Sequence, residues 1–319
     1  MRRILLSTTK ILVSAALLYF ALRKVDFADL ASRLDLASAG WIGLAILITL
    51  LQVLAAALRW REISADCGAP LTMAVATRFY LIGSFFNQTL PSSIGGDAMR
   101  LWLVNRSGAG WRAATYSVFV DRAIGLIALA VLIVASLPWS YRLIGNSEGR
   151  MALIFIDLAA LGGGVAFLLI GKLRWPWLKT LWGVHHLQAC SVITNRAIFS
   201  RERGPRIAAL SILIHVMAVV IAWCVVRSIA APVTFGQIFQ LIPPVMLITM
   251  LPISIAGWGV REATMGLAFG YAGLPTFEGI NVSLLFGAAF FIVGAFGGLV
   301  WISSPEKATQ GGTPVKIPK

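Results

Sequence analysis

The sequence predicts an all-α polytopic membrane protein with about six full transmembrane helices and two re-entrant or broken helical elements in an inverted-repeat arrangement. Of the 319 residues, 58% are hydrophobic and only 13% are charged, which is a composition outside the range of soluble domains. Apolar runs of roughly 20 residues, enough to cross a hydrocarbon core of about 30 Å, recur along the chain. One proline- and glycine-containing motif also occurs twice.

The apolar runs define the six full spans. These are Ile4–Leu22, Gly40–Leu58, Ala114–Leu137, Met151–Ile170, Ile207–Val226 and Phe277–Trp301. The first run contains Lys10 and has no clear cleavage site, so we interpret it as a retained signal anchor. Residues 175–206 combine tryptophan with lysine and arginine, which is typical of a juxtamembrane helix but equally of a simple basic connector. Residues 304–319 are predicted to form a disordered cytoplasmic tail.

The basic residues indicate the orientation of the chain. The net charge is +14, and most lysines and arginines fall in segments that alternate spans place on one side. The positive-inside rule makes that side cytoplasmic. We therefore expect a multi-pass protein of the cell membrane (the inner or plasma membrane) with both termini in the cytoplasm. Because these charges lie at span ends and do not form one soluble face, we predict no nucleic-acid partner. They would instead attract anionic lipid headgroups.

The repeated motif is Leu-Pro-x-Ser-Ile-small-Gly-x-x-x-Arg. It occupies residues 90–100 and 251–261, at a constant spacing of 161 residues. Each copy follows an apolar segment that carries polar residues and then breaks at a proline, Pro91 or Pro252. Broken helices at matching places in two halves are typical of transporters with inverted repeats. Non-helical backbone cannot face lipid, so both breaks are expected inside the bundle or along a water-filled cavity, with the prolines as hinges.

The first copy of the motif has the residues of an anion site. Ser93 lies in the break, the glycines that follow, Gly96 among them, leave backbone amides uncovered, and a helix that restarts there directs its positive end at the gap. Asp97 and Arg100 lie one turn apart on that helix, so Arg100 could hold a phosphate oxygen. The alternative is that Asp97 only caps the helix and that Arg100 extends to the membrane interface.

The second copy supplies Ser254, Gly257, Arg261 and Glu262. Arg261 is the positional twin of Arg100, whereas Glu262 has no acidic counterpart in the first copy. Neighbouring side chains diverge on a helix, so Arg261 and Glu262 are expected to contact different partners.

Three further residues are candidates for coupling or gating. Asp121 and Arg122 lie near the start of the third span, where ionisable residues usually face the bundle interior. Pairing Arg122 with Asp97, or Asp121 with Arg100, would lower the cost of burying them; a purely structural ion pair is the alternative. Asn87 precedes the first break and could also cap freed backbone groups.

Catalytic motifs give little support to an enzyme. The three cysteines and three histidines have no metal-ligand spacing, and there is no Walker-type phosphate-binding loop. We therefore predict no catalytic residue, no metal and no cofactor.

Taken together, several motifs resemble the lysylphosphatidylglycerol synthase transmembrane (flippase-like) family over roughly residues 5 to 303. The resemblance rests on Asn87-Gln88-x-Leu90-Pro91, Gly96-Asp97-x-x-Arg100, Val120-Asp121-Arg122 and the stretch from Leu251 to Glu262. It implies a single flippase-like domain over residues 1–303, with half-repeats centred on 90–100 and 251–261. It also implies a stand-alone member without the cytosolic synthase domain.

The resemblance further implies a translocase-like protein that moves or presents an amphiphilic lipid between leaflets. The expected cargo is a phospholipid, a hopanoid or a polyprenol-linked glycolipid with an anionic or zwitterionic headgroup. In a central cavity, Arg100 and Arg261 would hold phosphate, and Asp97 and Glu262 would hold a cationic group or a proton. Two alternatives stay open: a membrane-embedded transferase on lipid-linked substrates, or a non-catalytic partner subunit of a lipid or glycolipid biosynthetic enzyme.

Overall fold

A computed structural model describes residue 19 and residues 27–89, 94–173, 182–250 and 257–304, which are helical apart from short connections. The predicted first span and the predicted tail lie outside these residues except for Tyr19 and Ser304. Pro91, Ser93, Pro252 and Ser254 also lie outside them. The helices are α1 (Phe27–Ser32), α2 (Leu36–Asp66), α3 (Met73–Thr89), α4 (Gly95–Val104), α5 (Gly110–Leu143), α6 (Ser147–Ile170), α7 (Trp182–Ile198), α8 (Gly204–Ser228), α9 (Phe235–Thr249), α10 (Val260–Tyr271) and α11 (Thr276–Ser303).

The predicted all-α polytopic membrane fold is confirmed. Within the described ranges, five runs of helix are long and apolar enough to cross a membrane: α2, the run of α4 and α5 together, α6, α8 and α11. They contain the five predicted spans that fall within the described ranges. The helix starts follow local chemistry, since Asp35 forms a capping box with Ser38 at α2 and the Asn146 side chain accepts from Glu148 N and Gly149 N at α6.

The order of helices repeats along the chain. The first half, as we call α2–α5, consists of a long helix, a short apolar helix, a break, a second short helix and another long helix. The same order makes up α8–α11, the second half. The packing is reciprocal, because α2 packs on α8, α3 packs on α11, and α9 packs on α5. Such an exchange of equivalent contacts is what a two-fold relation between the halves produces.

Helices α2 and α8, the equivalent first helices of the two halves, run antiparallel. Four side-chain contacts join the start of one to the end of the other: Ser38 Oγ to Ser228 O at 2.6 Å, Gln52 Nε2 to Ile214 O at 2.7 Å, Arg59 Nη1 to Ser211 Oγ at 3.3 Å, and Arg203 Nη1 to Asp66 Oδ1 at 2.6 Å. Equivalent helices therefore cross in opposite directions, which is the defining feature of an inverted repeat.

In the first half, the short helices α3 and α4 pack side by side and the chain then bends into α5. A methyl group on Gly96 would lie 2.1 Å from the Gly83 carbonyl oxygen, so the close approach of α3 and α4 requires glycine at Gly96. Between α4 and α5, residues Asn105–Ala109 form a π-helical turn in which Gly108 has a φ of 99°. Gly110 also has a positive φ, of 80°, so the two glycines produce a kink that separates α4 from α5.

Helix α7 occupies the segment for which either a juxtamembrane helix or a simple connector was predicted. It packs on α5, α6 and α8. Its buried face includes Ser191, whose hydroxyl accepts a hydrogen bond from Gly171 N at 2.8 Å. The described part of the segment, 182–206, is therefore mainly helical, whereas 174–181 lie outside the described residues.

Candidate functional site

Five charged side chains form a continuous chain of ion pairs in the first half. Asp121 Oδ1 accepts from Arg59 Nε at 3.0 Å, and Asp121 Oδ2 accepts from Arg100 Nη2 at 2.9 Å. Arg100 also reaches Asp97 at 3.3 Å. Asp97 in turn accepts two hydrogen bonds from Arg122, at 2.7 and 2.9 Å. Arginine and aspartate thus alternate from α2 through α5 and α4, and both predicted pairs, Arg122 with Asp97 and Asp121 with Arg100, are formed.

The middle of this charge chain is buried. The side chains of Arg100 and Asp121 are 3% and 1% exposed. The Arg100 guanidinium carbon lies 4.0 Å from the centre of the Trp60 ring and 4.4 Å from that of Tyr80, so the cation is also held by aromatic faces. Arg100 therefore does not extend to the membrane interface, as the alternative interpretation of the motif required.

The charge chain carries one positive charge more than negative, because three arginines face two aspartates. Its outer end is Arg122, whose side chain is 39% exposed, while that of Asp97 is 14% exposed. Arg122 uses Nε and Nη2 on Asp97, and no acceptor in the described part of the chain takes Nη1. One guanidinium nitrogen therefore stays available to a ligand.

Arg122 opens on a cavity of about 230 Å³ between the two halves. The charged residues of its lining come from α4 and α5. We call these residues, with two amide side chains of α3, the polar wall: Asn87, Gln88, Asp97, Arg100 and Arg122. The part of the lining from α8, α11 and the end of α9 is apolar except for His215. Its apolar residues, which we call the apolar wall, are Ala218, Met246, Met250, Phe290 and Val293. A cavity with these two faces suits an amphiphile whose polar end points to the first half.

Asn87 connects the end of α3 to the start of α4. Its side-chain oxygen accepts a hydrogen bond from Gly96 N at 2.9 Å, which satisfies one backbone donor at the beginning of α4. This is the capping contact that the sequence offered as one of two roles for Asn87. Asn87 also lines the cavity, and the Gly96 that it caps directly precedes Asp97 on α4.

The corresponding residues of the second half form a different cluster. Arg261 Nη2 lies 2.8 Å from Glu262 Oε1, and Arg261 Nε donates to Ser283 Oγ at 3.0 Å. The prediction that Arg261 and Glu262 diverge is therefore wrong. The cause is the start of α10, where Glu262 turns back to accept from Gly259 N at 2.6 Å and brings its other oxygen to Arg261.

This second cluster is neutral and closed. Arg261 and Glu262 are both buried, and the Arg261 guanidinium packs 4.9 Å from the Trp258 ring centre. A methyl group on Gly287 would come within 2.0 Å of Arg261 Nη2, so the side chain lies directly against α11. Among the described residues, Gly257, Arg261 and Glu262 do not line the cavity. The two matched arginines therefore do not meet at one site.

Sequence reasoning missed Arg59 and His215. Arg59 directly follows the predicted span Gly40–Leu58, where an arginine is expected at the membrane interface, yet the structure buries it against Asp121. An interfacial and a buried arginine at the end of a span have the same neighbours in the sequence, so the sequence does not distinguish them. His215 lines the cavity with its Nε2 2.9 Å from Gly125 O, and its isolation in the sequence hid this position.

Comparisons with known proteins agree with this architecture. No curated protein matches the chain. The profile of the family described as "Lysylphosphatidylglycerol synthase TM region" matches residues 7–298. This match covers both half-repeats and nearly all of the described helices. The chain therefore belongs to the lysylphosphatidylglycerol synthase TM region family of membrane proteins.

Proposed function

We propose that this protein binds the phosphate-bearing headgroup of an amphiphilic lipid in the cavity between its halves and moves or presents that lipid between leaflets. The observation that carries the proposal is the unbalanced charge chain ending at Arg122. Three arginines share two carboxylates, so the partly exposed end of the charge chain attracts an anion. A phosphate oxygen on Arg122 would supply that anion.

The donors around Arg122 fit a phosphate group. Arg122 and Gln88 both line the cavity, and guanidinium groups bind phosphate through charge-assisted hydrogen bonds. The apolar wall of Met246, Met250 and Phe290 would receive the glycerol or the first methylenes of the lipid. At about 230 Å³ the cavity accommodates a headgroup, so the acyl chains would stay in the bilayer.

Asp97 provides a route for release. It is held by Arg122 on one side and by Arg100 on the other, so a phosphate that takes Arg122 leaves Asp97 bound to Arg100. When Asp97 binds Arg122 again, it would displace the phosphate. The inverted repeat supplies the second requirement of transport, because equivalent halves can open the same cavity to either side in turn.

The transferase alternative has less support. A general base or a metal ligand needs a free carboxylate, and the carboxylates of the charge chain are both held by arginines, Asp121 by two and Asp97 by two. We therefore propose a transporter and not an enzyme.

Reconstitution tests this proposal. Purified protein in liposomes would be given fluorescent phospholipids and polyprenyl phosphates, and exchange between leaflets would be measured by the accessibility of the label. We expect Arg122→Gln to lose most of the transbilayer rate. Arg142→Gln is the matched control, because Arg142 is an exposed arginine near the other end of the same helix. Equal rates in wild type and Arg122→Gln for each transported lipid would contradict the proposal.

A further inference from the structure

A second cavity lies at the basic end of the molecule, apart from the charge chain. It has a volume of about 440 Å³ and runs between the first turns of α5 and the start of α7. Trp111, Arg112, Tyr116, Phe119 and His186 are among the residues that line it, and none of its lining residues lines the central cavity. We call this cavity the α5–α7 groove.

The floor of the groove is a chain of polar groups. Arg112 Nε donates to the Tyr116 hydroxyl at 3.3 Å, and that hydroxyl lies 2.6 Å from His186 Nδ1. The hydroxyl accepts from Arg112, and it donates to His186 Nδ1 when that imidazole carries its proton on Nε2. The Arg112 guanidinium also stacks on the Tyr116 ring, with its carbon 5.5 Å from the ring centre. Arg112 is therefore positioned by its contacts with Tyr116, although the residue is exposed.

The groove has no negative charge to balance Arg112. None of its lining residues is acidic, and in the described ranges no carboxylate pairs with Arg112. The Cys190 thiol in its lining is not a source of negative charge either, because burial raises its pKa to about 11. An anionic ligand is thus the complement of the groove.

The walls of the groove are apolar and open toward lipid. Trp111 and Phe119 are 58% and 42% exposed, and both line the groove. They stand at the beginning of the apolar run of α5, the depth at which tryptophan and arginine meet lipid headgroups. A molecule that reaches this groove from the surrounding leaflet brings a headgroup to Arg112 and a chain to Phe119.

We infer that the α5–α7 groove is a binding site for one anionic phospholipid of the adjacent leaflet, with its phosphate on Arg112 and an acyl chain along Trp111 and Phe119. This site is separate from the central cavity and does not depend on transport.

Photolabelling tests the inference directly. Protein in nanodiscs would contain a trace of phosphatidylglycerol with a diazirine on one acyl chain, and labelled peptides would be mapped by mass spectrometry. We expect labels on the peptides that contain residues 111–119 and 183–190. Phosphatidylcholine with the same chains should label them less, because its trimethylammonium group cancels the charge of the phosphate and is repelled by Arg112. Arg112→Gln should reduce the phosphatidylglycerol label about tenfold, the loss expected for one charge-assisted hydrogen bond, whereas Arg142→Gln should not.

A second variant guards against a misfolded Arg112→Gln. Thr115 lines the groove and is exposed, so Thr115→Trp should fill the space and remove the label while Arg112 remains. Equal labelling by the two lipids, or equal labelling of the Arg112→Gln and Arg142→Gln variants, would overturn the inference. Loss of the label to an excess of glycerol phosphate would also overturn it, because the ligand would then be a free phosphate ester.

Discussion

The two copies of the motif place an arginine at the same position in two half-repeats, yet the surroundings of the two side chains differ. Arg100 belongs to a chain of three arginines and two aspartates that ends at a cavity. Arg261 belongs to a pair with Glu262, which is neutral and closed against Ser283 and Trp258. An internal repeat therefore conserves the path of the backbone more strictly than the use of its side chains.

The difference between the two surroundings comes from the number of arginines that the acidic residues of each half bind. In the first half Asp97 and Asp121 are shared among three arginines, so removing Arg100 together with either acid leaves another arginine without a carboxylate. In the second half Glu262 satisfies its one arginine and also caps α10 through Gly259 N. We interpret the first half as the part that binds and the second as the part that holds the scaffold.

The largest expected effect is a lower free energy of unfolding in double variants that remove one arginine and one acidic residue from the same half. Arg100→Met with Asp121→Leu strands Arg59 in a buried position, and we expect it to lower the free energy of unfolding by about 3–5 kcal/mol. Arg261→Met with Glu262→Leu removes a self-contained pair, so the change should stay within about 2 kcal/mol, including the lost cap. Chemical unfolding in detergent micelles, followed by circular dichroism, measures both. Equal losses in the two double variants would contradict the difference between the halves.

A smaller effect is expected from two glycine substitutions. In Gly96→Ala the new methyl meets the Gly83 carbonyl oxygen at 2.1 Å, and because this is backbone, α3 and α4 must separate. Such overpacking costs about 1–3 kcal/mol. In Gly287→Ala the methyl meets the end of the Arg261 side chain, which can move, so the loss should be smaller. The midpoints of the same unfolding curves would rank the two, and a reversed order would show that the Arg261 cluster is the more rigid one.

The sequence predicted most of the fold because lipid imposes simple rules. Apolar length located the spans, and the repeated motif located the breaks and the inverted halves. The ion pairs of Asp97 and Asp121 were also predictable, because buried charges in adjacent spans need partners. Arg59 was not predictable, since a helix end can be interfacial or buried with the same residues around it.

The pairing of Arg261 with Glu262 in the second cluster could not be predicted from the sequence either. The motif shows Arg261 and Glu262 as neighbours, and the usual divergence of neighbouring side chains on a helix argues against a pair. Only the backward turn of Glu262 to Gly259 N brings them together. That turn depends on how α10 begins after the break, which the spacing of residues does not reveal.

The most direct test of the account is the affinity of the central cavity for an anionic headgroup. Short-chain phosphatidylglycerol and a short-chain polyprenyl phosphate would be titrated calorimetrically into wild type, Arg122→Gln, and the Arg261→Met, Glu262→Leu double variant. We predict that Arg122→Gln weakens binding of the cargo lipid about tenfold, as the loss of one charge-assisted hydrogen bond implies, while the double variant binds as wild type does. Unchanged affinity in Arg122→Gln together with lost affinity in the double variant would place the headgroup site in the second half and contradict the account.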